Sequence, residues 1–226
     1  MDAETTVAEI ARAETERGEV VLRRRTSAAG ADVVELRVNG VFVMDTLETT
    51  SEIELAAQAL ELVDAPTAVL VGGLGLGFTL QRVLADPRVE RVVVVEIEEP
   101  LIEWMRDGTV PHGPALLADA RATVVNADIA MAIAEARSTY DLVLLDVDNG
   151  PGYLVHADND AVYQQPFLRR CRDLLSPGGV LVVWSANAAP DLLVAMREVF
   201  DKAEEQAHDV LLQDRPELYF LYLARR

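Results

Sequence analysis

The chain holds one cysteine, one lysine and three histidines among its 226 residues, and each scarcity removes a class of chemistry. A lone thiol, Cys171, forms neither an internal disulfide nor a cysteine-rich metal site. It lies within 167–175, a stretch of helical spacing, and reads as a core residue rather than a nucleophile. His112, His156 and His208 are scattered and make no pair at metal-ligand spacing, so no metal is expected. Lys202, the single lysine, follows no glycine turn, which disfavours a triphosphate-binding loop. No apolar run approaches the roughly 20 residues that cross a bilayer. The first residues, Met1-Asp2-Ala3-Glu4, are acidic where a secretory leader would be basic. These features predict a cytoplasmic protein without membrane contact.

Positive charge is scarce as well. Twenty Lys and Arg stand against 38 Asp and Glu, a formal net charge of -18. Such a chain repels nucleic-acid phosphates, so no nucleic-acid partner is expected, and it weakly favours a cationic ligand. Arg23-Arg24-Arg25 is the basic run of note and reads as a solvated strand end, or else a small anion site. Half of the residues are hydrophobic, enough for one sizeable core with a small appendage.

The appendage comes first. Residues 5–17 mix charges with Val7, Ala8, Ile10 and Ala11 and predict a short amphipathic helix or a mobile arm. Strands follow at 19–25 and 33–38, and Asn39-Gly40 before 41–44 is a two-residue hairpin signal. The hairpin's apolar face would pack on the main sheet or form a dimer contact. Ser51, with Glu54 three positions on, reads as the N-cap of a helix running to about Leu62. Pro66 then marks a boundary, dividing the chain into 1–64 and 65–226. Beyond it, strands near 67–72, 91–97, 121–125, 140–145 and 180–184 alternate with helices, the rhythm of a parallel sheet covered on both faces. Two more strands, near 208–213 and 218–224, close the chain.

The richest segment is Val69-Leu70-Val71-Gly72-Gly73-Leu74-Gly75-Leu76-Gly77, followed by Val92-Val93-Val94-Val95-Glu96. Glycines at 73, 75 and 77 let the backbone turn sharply and approach a ligand, and an acid closing the next strand can accept from two ribose hydroxyls. Ligands of such sheets lie beyond the strand ends, and the later ends are also acidic: Asn126-Ala127-Asp128, then Asp146-Val147-Asp148-Asn149-Gly150. Glu96 suits ribose hydroxyls, Asp128 an adenine amino group or the cap of its own helix, and Asp146 a cationic amine or sulfonium.

The hairpin around Asn39-Gly40, the glycine turn, Asp86-Pro87-Arg88-Val89, Val95-Glu96-Ile97-Glu98, Tyr140-Asp141, Gly150-Pro151 and Leu175-Ser176-Pro177-Gly178-Gly179 together resemble the spermidine synthase family of aminopropyltransferases, over about residues 32–187. The resemblance implies an α/β fold: an S-adenosylmethionine-dependent methyltransferase-like (Rossmann-like) doubly wound sheet with a small N-terminal β-hairpin domain. It implies decarboxylated S-adenosylmethionine as donor substrate, a small amine as acceptor, methylthioadenosine as leaving product, and a homodimer. It assigns nucleoside binding to Gly73, Gly75, Gly77, Glu96, Asp128 and Asp146, and the chemistry to Asp146, Asp148 and Asn149. Tyr153 and His156 would line a lid.

The chain departs from that pattern at three places. Leu76 replaces an acid within the glycine turn, Asn149 replaces the acid presumed to be catalytic, and a tyrosine and histidine near 51–55 are missing. An amide cannot take a proton from an ammonium group, so Asp148 is the candidate substitute. Two alternatives share the same sheet: an S-adenosylmethionine methyltransferase, and a noncatalytic homologue that binds a nucleoside.

Overall fold

The computed structural model describes residues 7–26, 30–147, 150–151, 157–212 and 215–226. Four antiparallel strands come first, β1 (Val7–Thr15), β2 (Gly18–Thr26), β3 (Asp32–Val38) and β4 (Val41–Asp45), paired in chain order. β1 corrects the expected helix or arm. Its alanines and glutamates favour a helix locally, but pairing along the whole of β2 from Val7↔Arg25 to Thr15↔Gly18 overrides that preference. Asn39 at φ 52 and Gly40 at φ 76 form the expected tight turn, in the left-handed region that suits a twisted hairpin. Arg25 is no solvated strand end: its guanidinium meets Asp45 at 2.5 Å and Glu35 at 3.7 Å, inside the small sheet.

Helix α1 (Thr50–Glu61) starts with Thr49 at the N-cap, not Ser51. The Glu48 carboxylate accepts the Thr50 N–H at 2.8 Å, and Ser51 inside the first turn donates to Glu52, so no capping box forms. The main sheet follows: β5 (Ala68–Gly72), α2 (Phe78–Leu84), β6 (Arg91–Glu96), α3 (Glu99–Asp107), α4 (Gly113–Leu117), β7 (Ala122–Asn126), α5 (Ile129–Glu135), β8 (Tyr140–Leu145), a 3-10 turn (Ala157–Tyr163), α6 (Gln165–Leu174), β9 (Leu175–Ser185), α7 (Pro190–Val199), β10 (Lys202–Leu212) and β11 (Arg215–Arg225). The five residues of α4 are too short to show periodicity, which is why they gave no sequence signal.

Strand order is β10-β11-β9-β8-β5-β6-β7, with β5 to β9 parallel and β11 antiparallel to β9. From β5 the chain builds outward through β6 and β7, then returns to place β8 on the other side of β5, which opens a crevice beyond those two strand ends. Side chains alternate between the faces. Val69 and Val71 join a core that also holds α1, α2, α3 and Val20, Leu22, Leu36 and Met44 of the small sheet. Leu70 faces the second core, beneath α5, α6 and α7, where Cys171 is fully buried.

Two motif residues turn out to hold the scaffold. Asp141 accepts from the Thr67 N–H and hydroxyl and the Ala68 N–H, each at 3.0 Å, and from the Ser176 hydroxyl at 2.6 Å, tying the starts of β5, β8 and β9 together. Burial pushes this carboxyl up, but the hydrogen bonds from Ser176, Ala68 and Thr67 outweigh it and hold the group below its ordinary value. Arg88 forks the Asp86 carboxylate at 2.6 and 2.9 Å and donates to the carbonyls of Leu60, Val63 and Asp64, where α1 ends.

Arg88→Ala therefore removes a donor from the carbonyls of Leu60, Val63 and Asp64 around the end of α1 and is expected to lower the urea unfolding midpoint. The side-chain bond from Arg88 holds Asp86 down to about 2, so its stabilisation is present above the unfolded carboxylate value and lost as pH falls through about 2. The variant should lack that acid-side dependence. An unchanged unfolding midpoint at pH 7 would refute the clamp.

Candidate functional site

At the end of β5 the backbone runs through Gly73 at φ 93, Gly75 at φ 50 and Gly77 at φ 88. A Cβ at Gly73 would lie 2.0 Å from the Asp146 carbonyl oxygen, so the ends of β5 and β8 meet main chain to main chain. One at Gly75 would lie 2.7 Å from the Met44 sulfur, because the turn is tucked beneath β4. Gly77 is close instead to Leu116 and Met105 and is outside the cavity wall to which Gly73 and Gly75 belong. Leu76 is fully buried in the core, its N–H on the Met44 sulfur at 3.2 Å and its carbonyl 2.6 Å from the His112 ring nitrogen Nε2. The residue that departs from the family pattern thus packs inward and does not line the cavity.

Between the small sheet and the strand ends lies a cavity of about 510 Å³, the size of an ordinary small-ligand site. Val38, Phe42 and Met44 form one apolar wall, while Phe78, Trp184 and Tyr219 supply aromatic surface from the main fold. The hairpin's apolar side therefore faces this space. Acids dominate the polar lining: Glu48, Glu52, Glu96, Glu98, Asp128, Asp146 and Glu217, against Arg17 as the one basic lining residue among those described.

Glu96, at the end of β6, is buried; its two oxygens accept the Leu74 N–H at 2.9 Å and the Glu98 N–H at 2.8 Å. Burial pushes its carboxyl up while these backbone bonds oppose the rise. The Gly75 N–H also donates to this carboxylate, which leaves acceptor capacity for a ligand hydroxyl. Asp128 caps α5, with Oδ1 accepting from Ala130 at 2.8 Å and Met131 at 3.1 Å, and it also lines the cavity. Cap and cavity wall are thus compatible for one carboxylate. Asp146 follows β8; burial, and then the neighbouring Glu52 charge, raise its carboxyl to about 8.

Asp148, Asn149, Tyr153 and His156, four of the residues singled out from sequence, lie outside the described residues. Others that line the cavity carried no local signal. Arg17 comes from the β1–β2 turn and pairs with the buried Glu98 at 3.6 Å. Asn39 holds that turn by accepting the Glu19 N–H at 2.9 Å and donating to the Arg17 carbonyl at 3.1 Å. Glu52 lies on α1, beside the Ser51 that sequence reading assigned to capping. Which acid of α1 reaches the cavity is set by how the helix packs, and no local pattern marks it.

The strand order, with its crevice beside a glycine turn and Glu96, defines an S-adenosylmethionine-dependent methyltransferase-like α/β fold, here carrying an added antiparallel sheet over the strand ends. Within that class the chain belongs to the spermine/spermidine synthase domain family, whose family model matches residues 50–211. It is 29% identical over 154 residues to a polyamine aminopropyltransferase of Saccharolobus solfataricus, covering 64% of this chain and 49% of that protein. To that of Aeropyrum pernix it is 30% identical over 171 residues, 69% of this chain and 52% of the relative. The chain spans about half the length of the curated relatives it matches. Its fold is similar to a spermidine synthase solved with the transition-state analogue AdoDATO, at a TM-score of 0.80 and 20% identity over 96% of this chain and 73% of that one. Human methyltransferase-like protein 13 in complex with SAH matches at a TM-score of 0.57 and 24% identity, covering 78% and 79% of the two chains.

Proposed function

We propose that the protein is a spermidine-synthase-like transferase that binds decarboxylated S-adenosylmethionine in this cavity and passes its aminopropyl group to a small amine, releasing methylthioadenosine. The carrying observation is the charge of the lining: seven carboxylates, Glu48, Glu52, Glu96, Glu98, Asp128, Asp146 and Glu217, face one arginine that Glu98 already engages. Such a cavity favours a donor with a sulfonium and a free ammonium over one that also bears a carboxylate.

In this reading Glu96 holds the ribose hydroxyls and Asp128 the adenine amino group, with Gly73 and Gly75 admitting the nucleoside close to the backbone. Asp146 faces the cationic centre. The acceptor must lose a proton before its nitrogen attacks the carbon beside sulfur, and the electron pair of the breaking C–S bond then moves to sulfur. A carboxyl raised to about 8 has the proton affinity to assist that loss near neutral pH. Holding acceptor and donor in line supplies the remaining advantage, because two cations do not approach each other unaided.

Incubation of the purified protein with decarboxylated S-adenosylmethionine and a panel of diamines and triamines should release methylthioadenosine with at least one of them. Release with none would sink the transfer reading, and tighter calorimetric binding of S-adenosylmethionine than of its decarboxylated form would redirect it to methyl transfer. We also propose that 1–64 and 65–226 are distinct structural units, that the protein is cytoplasmic, and that it is a homodimer. No helix among the described residues is long and apolar enough to cross a membrane, and among those residues β1 pairs only with β2, an edge position that suits association. Sedimentation analysis tests the dimer.

A further inference from the structure

We propose that Glu52, on α1, is the carboxylate that holds the cationic nitrogen of the acceptor in this cavity together with Asp146. The inference rests on the amine-transfer reading of this cavity, and it adds a residue from a part of the chain where the sequence pattern offered no acid for that task.

Glu52 is 9% exposed and lines the cavity. Its place is set by packing: Leu55, Ala56 and Ala59 bury α1 against the core, and the Thr79 hydroxyl of α2 donates to the Glu52 carbonyl at 3.3 Å. Its carboxylate takes one hydrogen bond from another residue, the Ser51 hydroxyl on Oε2 at 2.8 Å, which leaves acceptor capacity unused. No donor among the described residues reaches the Asp146 carboxylate, which lines the same cavity. Both groups are close enough for the Glu52 charge to act on Asp146, and Glu48 and Asp45 add negative charge around Glu52.

Two carboxylates so placed oppose each other's ionisation while the cavity is empty. An ammonium group between them removes that conflict, because it donates to both and neutralises the excess charge. Other lining carboxylates are already engaged: Glu98 pairs with Arg17, and Glu48, Glu96 and Asp128 hold backbone N–H groups. Tyr219 closes the same end, its phenol raised to about 12 by burial and by Glu54, Glu52 and Glu48. Its ring stacks on His208 with centroids 5.0 Å apart.

Calorimetry with 1,4-diaminobutane, in the presence of saturating methylthioadenosine, tests the assignment without requiring turnover. Glu52→Gln should weaken diamine binding about tenfold or more, Glu52→Asp should recover part of the loss, and the affinity for methylthioadenosine alone should not change. Because Glu52→Gln removes a buried charge beside other carboxylates, its melting temperature should equal or exceed that of the wild type, which separates a binding defect from misfolding. Equal diamine affinity in wild type and Glu52→Gln, or no diamine binding by the wild type, overturns the proposal. Diamine binding that depends on Glu52, without methylthioadenosine release in any turnover assay, overturns the transfer reading and leaves the Glu52 assignment standing.

Discussion

Gly73→Ala should cost the protein both its nucleoside affinity and much of its stability. The position has φ 93, where an L side chain is strained by about 1–2 kcal/mol. The added methyl would also stand 2.0 Å from the Asp146 carbonyl oxygen, a backbone atom that cannot rotate away. The ends of β5 and β8 must then separate, which breaks the Asp146 N–H bond to the Gly72 carbonyl at 2.9 Å and moves the cavity wall. Methylthioadenosine binding is expected to fall by about a hundredfold or more, since small misplacements at a site are costly. Gly178→Ala is the control: its φ of 81 carries the same conformational strain, yet nothing lies within 4 Å of the new methyl. A Gly73→Ala protein that melts and binds like Gly178→Ala would show that contact of the strand ends does not shape the site.

Asp146→Asn should separate function from stability in opposite directions. Burial and the Glu52 charge raise the folded-state carboxyl to about 8, well above its unfolded value of about 3.9. Between those limits the folded state binds more protons than the unfolded one, so stability falls as pH rises and the penalty is complete above about 8. The amide removes the penalty. Urea unfolding should therefore show the variant gaining on wild type from pH 5 to pH 9, by several kcal/mol at the upper end. Methylthioadenosine release at saturating substrates should meanwhile drop by about a hundredfold or more, as loss of a buried electrostatic partner commonly does. Parallel stability curves across that pH range would show that Asp146 is not a strained carboxyl, and unchanged turnover would remove it from the chemistry. Such opposition between stability and activity is the usual mark of a functional site.

Much of the scaffold could be read from local pattern. The valine runs that became β5 and β6 are buried on both faces, so they appear as unbroken apolar stretches, and the turn between β5 and α2 requires glycine wherever φ is positive. Asn39-Gly40 likewise announced its turn through a conformation few other pairs adopt. Asp128 carried two readings, and the geometry keeps both, because one carboxylate oxygen caps α5 while the residue borders the cavity. Asp141 and Arg88 were legible as motif members only. Their bonds to Thr67, Ser176 and the end of α1 show that part of the motif stabilises the fold.

β1 and the cavity acids mark the limit of such reading. Ala, Glu and Arg in residues 7–15 fit a helix by propensity, and only the presence of β2 alongside makes them a strand. Glu52 is one acid among several on α1 until the helix packs on the core and places it in the cavity lining. Leu76 shows the reverse: a missing acid looked like a gap in the site, whereas its side chain belongs to the core beneath β4.

The amino-acid sequence alone determined the alternation of strands and helices, the glycine turn and the acids that close the strands, because each depends on residues within a few positions of one another. Tertiary structure decided which of those acids share one cavity, that Arg17 pairs with Glu98, and that α1 adds a carboxylate to that lining. Those outcomes depend on contacts between segments tens of residues apart, which packing and hydrogen bonding set for the whole chain at once and no local pattern specifies.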